Sequence, residues 1–336
     1  MITDNDRPMA GLSAWIITRD RAGNLSQARG LTEALGLVPD IKLIAPTGLA
    51  QLLAPYGAPP GVERFGQAGS RFAPPWPPVA IGIGRTAVPY LRAIRRAAGA
   101  GTFTILLMGP RAYQSEMDVV IVPSHDGRAG ANIISAPLAI HNFSPARLAA
   151  LRAALPDALT ALPSPRVTVV LGGRNKAFRY PPRDHARLAR ALASLARLGC
   201  SFLVTPSRRS HPELMDAVLE GTTGAPRIIW NGDGTNPYPA FLAAADLLLV
   251  TGDSASMTSE AMAAGRPLFV FVPEGTPGKF ARLHTALFAT GSARPLPDIV
   301  ETLELWPAEA DFATDTIARD VERRWRRTAP SAAPAI

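Results

Sequence analysis

LLLVTGDSASMTSEAMAAGRP, residues 247–267, holds most of the fold in miniature. Leu247–Val250 are apolar without alternation, as in a parallel strand buried on both faces. A helix then begins near Ser256 and closes at Gly265, with Pro267 just beyond. A strand that turns straight into a helix is the repeating unit of an α/β sheet. The corner carries Asp253, Ser254 and Ser256. Any one of them could cap the helix, and a helix needs only one cap. The surplus suggests a ligand, because a helix N-terminus offers unpaired N–H groups and a partial positive charge to phosphate. Glu260 belongs to no capping box, since Met257 stands where that box needs Ser or Thr. It is therefore expected to take another partner, such as a ribose diol.

The same pattern runs outward from this corner. Strands are predicted at 13–18, 41–46 and 79–84, then in TFTILLMG, DVVIVPS and NIISAPL. Helices are predicted at 24–36 with Gly36 as C-cap, after Pro89 in VPYLRAIRRAAG, and through SPARLAALRAALPDAL as one piece. Residues 47–78 are rich in Pro and Gly and resist reading. TALPSPR (160–166) has linker composition. Beyond it a second strand–helix series starts at VTVVLGG. The expectation is an α/β protein of two Rossmann-like, doubly wound parallel-sheet domains with a cleft between them. The domains are 1–159 and 167–307, joined by a 160–166 linker. Residues 308–336 would form a helix, with Phe312, Ile317, Val321 and Trp325 near one face, returning to the first domain.

Composition narrows the class. The chain has 336 residues, 47% apolar and 18% charged, as in a globular protein. A single cysteine, Cys200, excludes an intramolecular disulfide and fits a reducing compartment. No apolar run reaches the roughly 18 residues of a membrane span, and no signal peptide is evident, so a cytoplasmic protein is expected. The formal charge is +8, nearly all of it arginine, with only Lys42, Lys176 and Lys279 as lysines. Genomic composition bias explains such a balance, and so does attraction to an anionic ligand or membrane surface. No basic run interleaved with aromatics points to nucleic acid. No His or acid cluster has metal spacing, and no cofactor is implied.

Ligands of open parallel sheets bind beyond the carboxyl ends of the strands. Arg19, Arg85, Arg111, Arg128, Arg174 and Arg208 each follow a predicted strand end. Arginine there favours phosphate or carboxylate through paired hydrogen bonds. The diphosphate candidates are Gly172, Gly173, Arg174, Ser207 and Arg208 with the Asp253–Ser256 corner; Asn236 and Tyr238 join the nucleotide set. On the first half, Gly23, Asn24, Gln27 and Arg128 are candidates for an acceptor. A general base would come from Asp20, His125 or Asp126, of which the adjacent His and acid of SHDGR suit titration best. Ordinary turn chemistry accounts for the same residues.

YPAFLAAADLLLVTGDSASMTSEAMAAGRPLFVF resembles the nucleotide half of two-domain glycosyltransferases of the GT-B fold. That resemblance implies that Glu260 holds a ribose and that Ser254–Ser256 meet a diphosphate, with VLGGRNK as the facing glycine loop. Over most of the chain, ITRDRAGNLSQARGLTEALG, IGIGRTAVPYLR, VVIVPSHDGR, VLGGRNKAFRY, LVTPSRRS and WNGDGTNPY together are similar to the mitochondrial-fission (elongated mitochondria) family. Its plant members act at the mitochondrial outer surface, and its bacterial members are often labelled nucleoside-diphosphate-sugar epimerases. A short-chain Rossmann epimerase does not fit. Gly82, Gly84 and Ala87 have G-x-G-x-x-A spacing, but no acid follows before Glu116, and no tyrosine has a lysine four residues later. The expected function is a GT-B-like glycosyltransferase using a nucleoside-diphosphate sugar. The alternatives are a non-catalytic adaptor at a membrane surface and a GT-B-type sugar-nucleotide epimerase.

Overall fold

The structure, a computed structural model, describes residues 7–328, apart from the side chains of Ala22 and His125. The chain forms two compact units. One runs to Asn142 and resumes at Ala313; the other is Phe143–Phe312.

The first unit holds β1 (Ser13–Thr18), α1 (Ala22–Leu35), β2 (Val38–Leu43), α2 (Gly48–Leu53), β3 (Val79–Ile83), α3 (Val88–Ala98), β4 (Phe103–Leu107), β5 (Val119–Pro123) and β6 (Ile133–Ala136). The sheet order is β2-β1-β3-β4-β5-β6, every pairing parallel. Central strands such as Val79–Ile83 are buried throughout, which is why they read as unbroken apolar runs. α1 ends at Gly36 in the left-handed conformation, φ +67°. Gly82 permits close packing, because a Cβ there would collide with Leu91 and Ala87 of the following helix. Residues 47–78 fold over one sheet face through aromatic contacts. Phe72 lies 4.9 Å from Tyr90 and 5.9 Å from Trp15 between ring centroids, and Phe65 stacks on Trp76.

The second unit holds α4 (Pro145–Ala153), α5 (Asp157–Thr160), β7 (Arg166–Leu171), α6 (Pro182–Arg197), β8 (Ser201–Pro206), α7 (Pro212–Gly221) and β9 (Arg227–Ile229). There follow α8 (Tyr238–Ala244), β10 (Leu247–Thr251), α9 (Ala255–Ala263), β11 (Leu268–Phe271), α10 (Gly278–Ala289) and β12 (Ala293–Pro295). The order is β12-β11-β10-β7-β8-β9, again parallel. α11 (Ala313–Thr328) belongs to the first unit, where Ile317, Ala318 and Val321 join the core containing Ala28, Leu31 and Leu35. Trp325 meets Phe103 edge-on at 5.2 Å.

Two doubly wound parallel sheets are therefore present. Several details differ from the reading of the sequence. The unit boundary falls at Asn142/Phe143, not at 160–166. The Pro-rich stretch is part of the second unit: Asp246 accepts from the Ser164 hydroxyl and from the Arg166 N–H, and Leu162 packs near Phe241. The helix expected through 144–159 is broken in two, because Pro156 lacks an N–H and disfavours helical geometry before it. Phe312 stays in the second unit, one residue before α11. α10 and β12 were not anticipated; the buried stripe of α10 is Leu283, His284 and Leu287, and a histidine in the middle hides it. No helix among the described residues is long and apolar enough to cross a membrane.

Candidate functional site

The strand order of the second unit reverses between β7 and β10, which are neighbours although far apart in sequence. In open α/β sheets the loops leaving such a switch point diverge and leave a crevice. The loops here are Gly172–Gly173 after β7 and Gly252–Ser254 after β10. The loop after β8, Ser207–Ser210, lies alongside.

Asp253 ties these three loops together. Its side chain is 0% exposed. It accepts from the Gly173 N–H at 3.0 Å and from the Tyr180 hydroxyl at 2.6 Å, and it pairs with Arg209 at 2.8 Å. Thr251 Oγ1 accepts from the Gly172 N–H at 2.6 Å, which sews β7 to β10 one residue past the sheet. Ser207 and Ser210 hydroxyls both donate to the Gly172 carbonyl. The Tyr180 hydroxyl stays protonated, because burial and the neighbouring Asp253 charge push its pKa far up. Tyr180 adopts φ +57°, an uncommon conformation for a bulky residue, stabilised here by the surrounding contacts.

Both glycines are required by this packing. A Cβ on Gly172 would collide with the Asp253 carboxylate, and one on Gly173 with the Arg209 carbonyl. Gly173 also has φ +144°. Protein thus fills the space on the Cβ side of both residues, and their N–H groups are taken by Thr251 and Asp253.

Next to this lock lies a second buried acid. Ser254 caps α9, accepting from the Met257 N–H, so the helix starts at Ala255 rather than near Ser256. Glu260 lies on α9 at 7% exposure, and Tyr238 donates its hydroxyl to Oε2 at 2.7 Å. Burial, reinforced by Glu260, raises the Tyr238 pKa well above its ordinary value, so this hydroxyl donates at any physiological pH. Tyr238 opens α8, which leads back into β10 and so begins at the end where the strands finish. Asn236 Oδ1 accepts from the Tyr238 N–H at 3.0 Å and sets that turn.

The arginines sort differently from the expectation. Arg208 is exposed and makes no ion pair among the described residues, whereas Arg209 reaches Asp253. Arg174 is engaged within the protein, donating to the Arg179 carbonyl at 3.1 Å and lying 3.6 Å from Glu213. Beneath it His185 and His211 face each other, Nε2 to Nε2 at 2.9 Å, with Tyr180 beside both. Burial, then the Arg174 charge, lowers both histidine pKa values. The role of Arg209, Tyr180 and the histidine pair had no local signal, since their partners lie tens of residues away.

In the first unit the candidates are scattered over strand ends. Asp20 is exposed after β1, and Gly23, Asn24 and Gln27 lie on the first turns of α1. Asn24 donates to Thr18 Oγ1 at 3.3 Å, and Gln27 is buried. Asp126 is exposed in the turn after β5, and the His125 side chain lies outside the described residues. Arg128 is buried, donating to the Gly109 and Pro110 carbonyls and to Gln114 Oε1. Those bonds make it a brace for the loop after β4 and leave it poorly placed for an acceptor. No group of three or more His, Cys, Asp or Glu suited to a metal occurs among the described residues.

Comparison with known proteins follows the same lines. A crystal structure described as a putative UDP-N-acetylglucosamine 2-epimerase from Listeria monocytogenes superposes with a TM-score of 0.52, covering 95% of this chain and 98% of that one at 12% identity. The likeness is one of fold, a GT-B-like pair of Rossmann domains. Mitochondrial fission protein ELM1 of Arabidopsis thaliana is 26% identical over 254 residues, 68% of this chain. The match spans 60% of the plant protein's length. An uncharacterized protein of Rickettsia prowazekii (strain Madrid E) is 34% identical over 111 residues, 31% of either chain. The family model described as Mitochondrial fission ELM1 matches residues 22–325, nearly the whole sequence, and the chain belongs to that family.

Proposed function

We propose that this protein is an enzyme acting on a nucleoside-diphosphate sugar, held at the β7/β10 end of the second unit. The observation that carries the reading is the Glu260–Tyr238 pair: a buried carboxylate on the second turn of a helix that opens at a topological switch point. A ribose diol supplies two hydroxyl donors, which a carboxylate accepts alongside the Tyr238 hydroxyl. The N-terminus of α9 favours the diphosphate, and Arg208 supplies an exposed cation on the neighbouring loop. The Listeria structure's description as a UDP-sugar epimerase supports the same substrate class.

Calorimetric titration with UDP, ADP and GDP, each against its nucleoside, tests the reading. Glu260→Gln is expected to weaken the preferred nucleotide by about 1–3 kcal/mol, the range for hydrogen bonds to a charged group. Arg208→Ala is expected to weaken the diphosphate and spare the nucleoside. Absence of nucleotide binding, or equal affinities in all three proteins, would reject it. Incubating the protein with a UDP-sugar and no acceptor separates the chemistries: epimerisation yields a new sugar nucleotide, and transfer yields none.

A second reading, an adaptor, has its own observation. Leu49, Leu52, Leu53, Tyr56 and Val62 are large apolar side chains exposed at and after α2 in the first unit. Changing Leu49 and Leu52 to serine distinguishes the two, since it leaves nucleotide binding intact and removes adaptor activity.

A further inference from the structure

Past the C-terminus of α9 the second unit contains a pocket of about 350 Å³ lined by Leu148, Arg152, Ala264, Arg266, Ala308 and Phe312, among others. Leu148 and Arg152 come from one face of α4, four residues apart. Ala308, Ala310 and Phe312 come from one side of an irregular segment, at every second residue. The walls are tied in place. The Asp311 N–H donates to the Met262 carbonyl at 3.3 Å. Gly265, at φ +62°, lies so close to Ala310 that a Cβ would touch it at 3.0 Å. Arg152 donates to the Ala264 carbonyl at 2.6 Å, holding its guanidinium over the helix end.

The two charged residues named in the pocket's lining are both arginines. Neither Arg152 nor Arg266 makes an ion pair among the described residues, and Arg266 is exposed. Arg152 and Arg266 line the same pocket, and burial, then the Arg266 charge, lowers the Arg152 pKa. An apolar pocket with two guanidiniums at its rim fits an anion that carries a hydrocarbon or aryl body. A carboxylate would balance one of them. A phosphate monoester, with a charge near −2 at neutral pH, balances both.

We propose that this pocket binds an organic phosphate monoester, its phosphate between Arg152 and Arg266 and its apolar body against Leu148 and Phe312. The site is separate from the nucleotide end. α9 runs about 15 Å between them at 1.5 Å per residue, with Ser254 at one end and Ala264 at the other.

Phenyl phosphate is the probe, titrated calorimetrically into the full chain. One-to-one binding is expected, with inorganic phosphate binding more weakly because it leaves the apolar wall uncovered. Arg266→Gln keeps the helix-end bond of Arg152 and is expected to weaken phenyl phosphate by about tenfold, the loss of one charge-assisted contact. Ala308→Phe retains both charges and fills the pocket, and it is expected to abolish binding. Saturating UDP is expected to leave the phenyl phosphate affinity unchanged. No binding at millimolar phenyl phosphate, unchanged affinity in Arg266→Gln or Ala308→Phe, inorganic phosphate binding as tightly, or displacement by UDP would each overturn the site.

Discussion

The two sheets reverse their strand order at comparable places, β1/β3 in the first unit and β7/β10 in the second, yet the strand ends are built differently. Beyond β1 the chain turns through Arg19, Asp20 and Arg21, half-exposed or exposed. The N-terminus of α1 has no side-chain cap and no acid in its first turn. Beyond β10 the turn is core: Asp253 is buried under donors from the two neighbouring loops, and Ser254 caps the helix that follows. One end presents its polar groups to solvent, and the other has used them to fix its own geometry. Parallel sheets alone therefore do not specify a site. The second unit has a strand end whose shape is set by buried side chains, which suits recognition of a ligand of defined geometry.

Hydrogen exchange resolved by peptide would break or sharpen that contrast, since it reports opening free energies region by region. The largest effect is expected for Asp253→Ala, which strands the Tyr180 hydroxyl and the Gly173 N–H and unpairs Arg209. Opening of β7 and β10 is expected to become easier by about 3 kcal/mol, while Asp20→Ala changes the β1 region by no more than about 0.5 kcal/mol. Similar values for the two would erase the distinction. Gly173→Ala comes next, at about 2 kcal/mol, because the side chain meets the Arg209 carbonyl and the backbone has φ +144°. Gly84→Ala, at φ +73° with nothing near its Cβ, is expected to cost about 1 kcal/mol from conformation alone. Arg209→Ala is expected to loosen the same loops by about 1–2 kcal/mol, and Arg208→Ala by less than about 0.5 kcal/mol. Equal effects would mean that Asp253 does not depend on its ion pair.

The smallest and broadest expectation concerns pH. His185, His211 and His284 all lie in the second unit, and burial lowers the pKa of each below 6.5. The unfolded chain then binds protons that the folded chain does not. Their contribution to stability is complete above about pH 6.5 and is lost as pH falls through 6.5 toward the lowered folded values. Peptides of the second unit are expected to lose protection on acidification from pH 8 to pH 5, and His211→Asn is expected to flatten that dependence. Equal acid sensitivity of wild type and His211→Asn would exclude the histidine pair as a contributor.

Much of the fold was legible because its determinants are local. Val79–Ile83 and Leu247–Val250 read as buried parallel strands from their unbroken apolar runs, and Gly36 and Pro89 marked helix ends by backbone chemistry alone. The Glu260 corner was visible for the same reason: helix start, small turn residues and a lone acid are all within ten positions. What the sequence could not show depended on partners distant in the chain. Arg208 and Arg209 are indistinguishable in a string of letters, and only the arrival of Asp253 from β10 selects Arg209. Gly172 and Gly173 read as a phosphate turn, and only the fold shows the same carboxylate and the Arg209 carbonyl packed on their Cβ sides. Pro-rich 160–166 has the composition of a linker, yet Asp246, eighty residues on, draws Arg166 into the second unit. Short-range periodicity and capping thus determine elements and their order, while the pairing of buried polar groups across the sheet decides which side chains remain for a ligand, because a buried donor or acceptor takes the nearest partner the tertiary fold supplies.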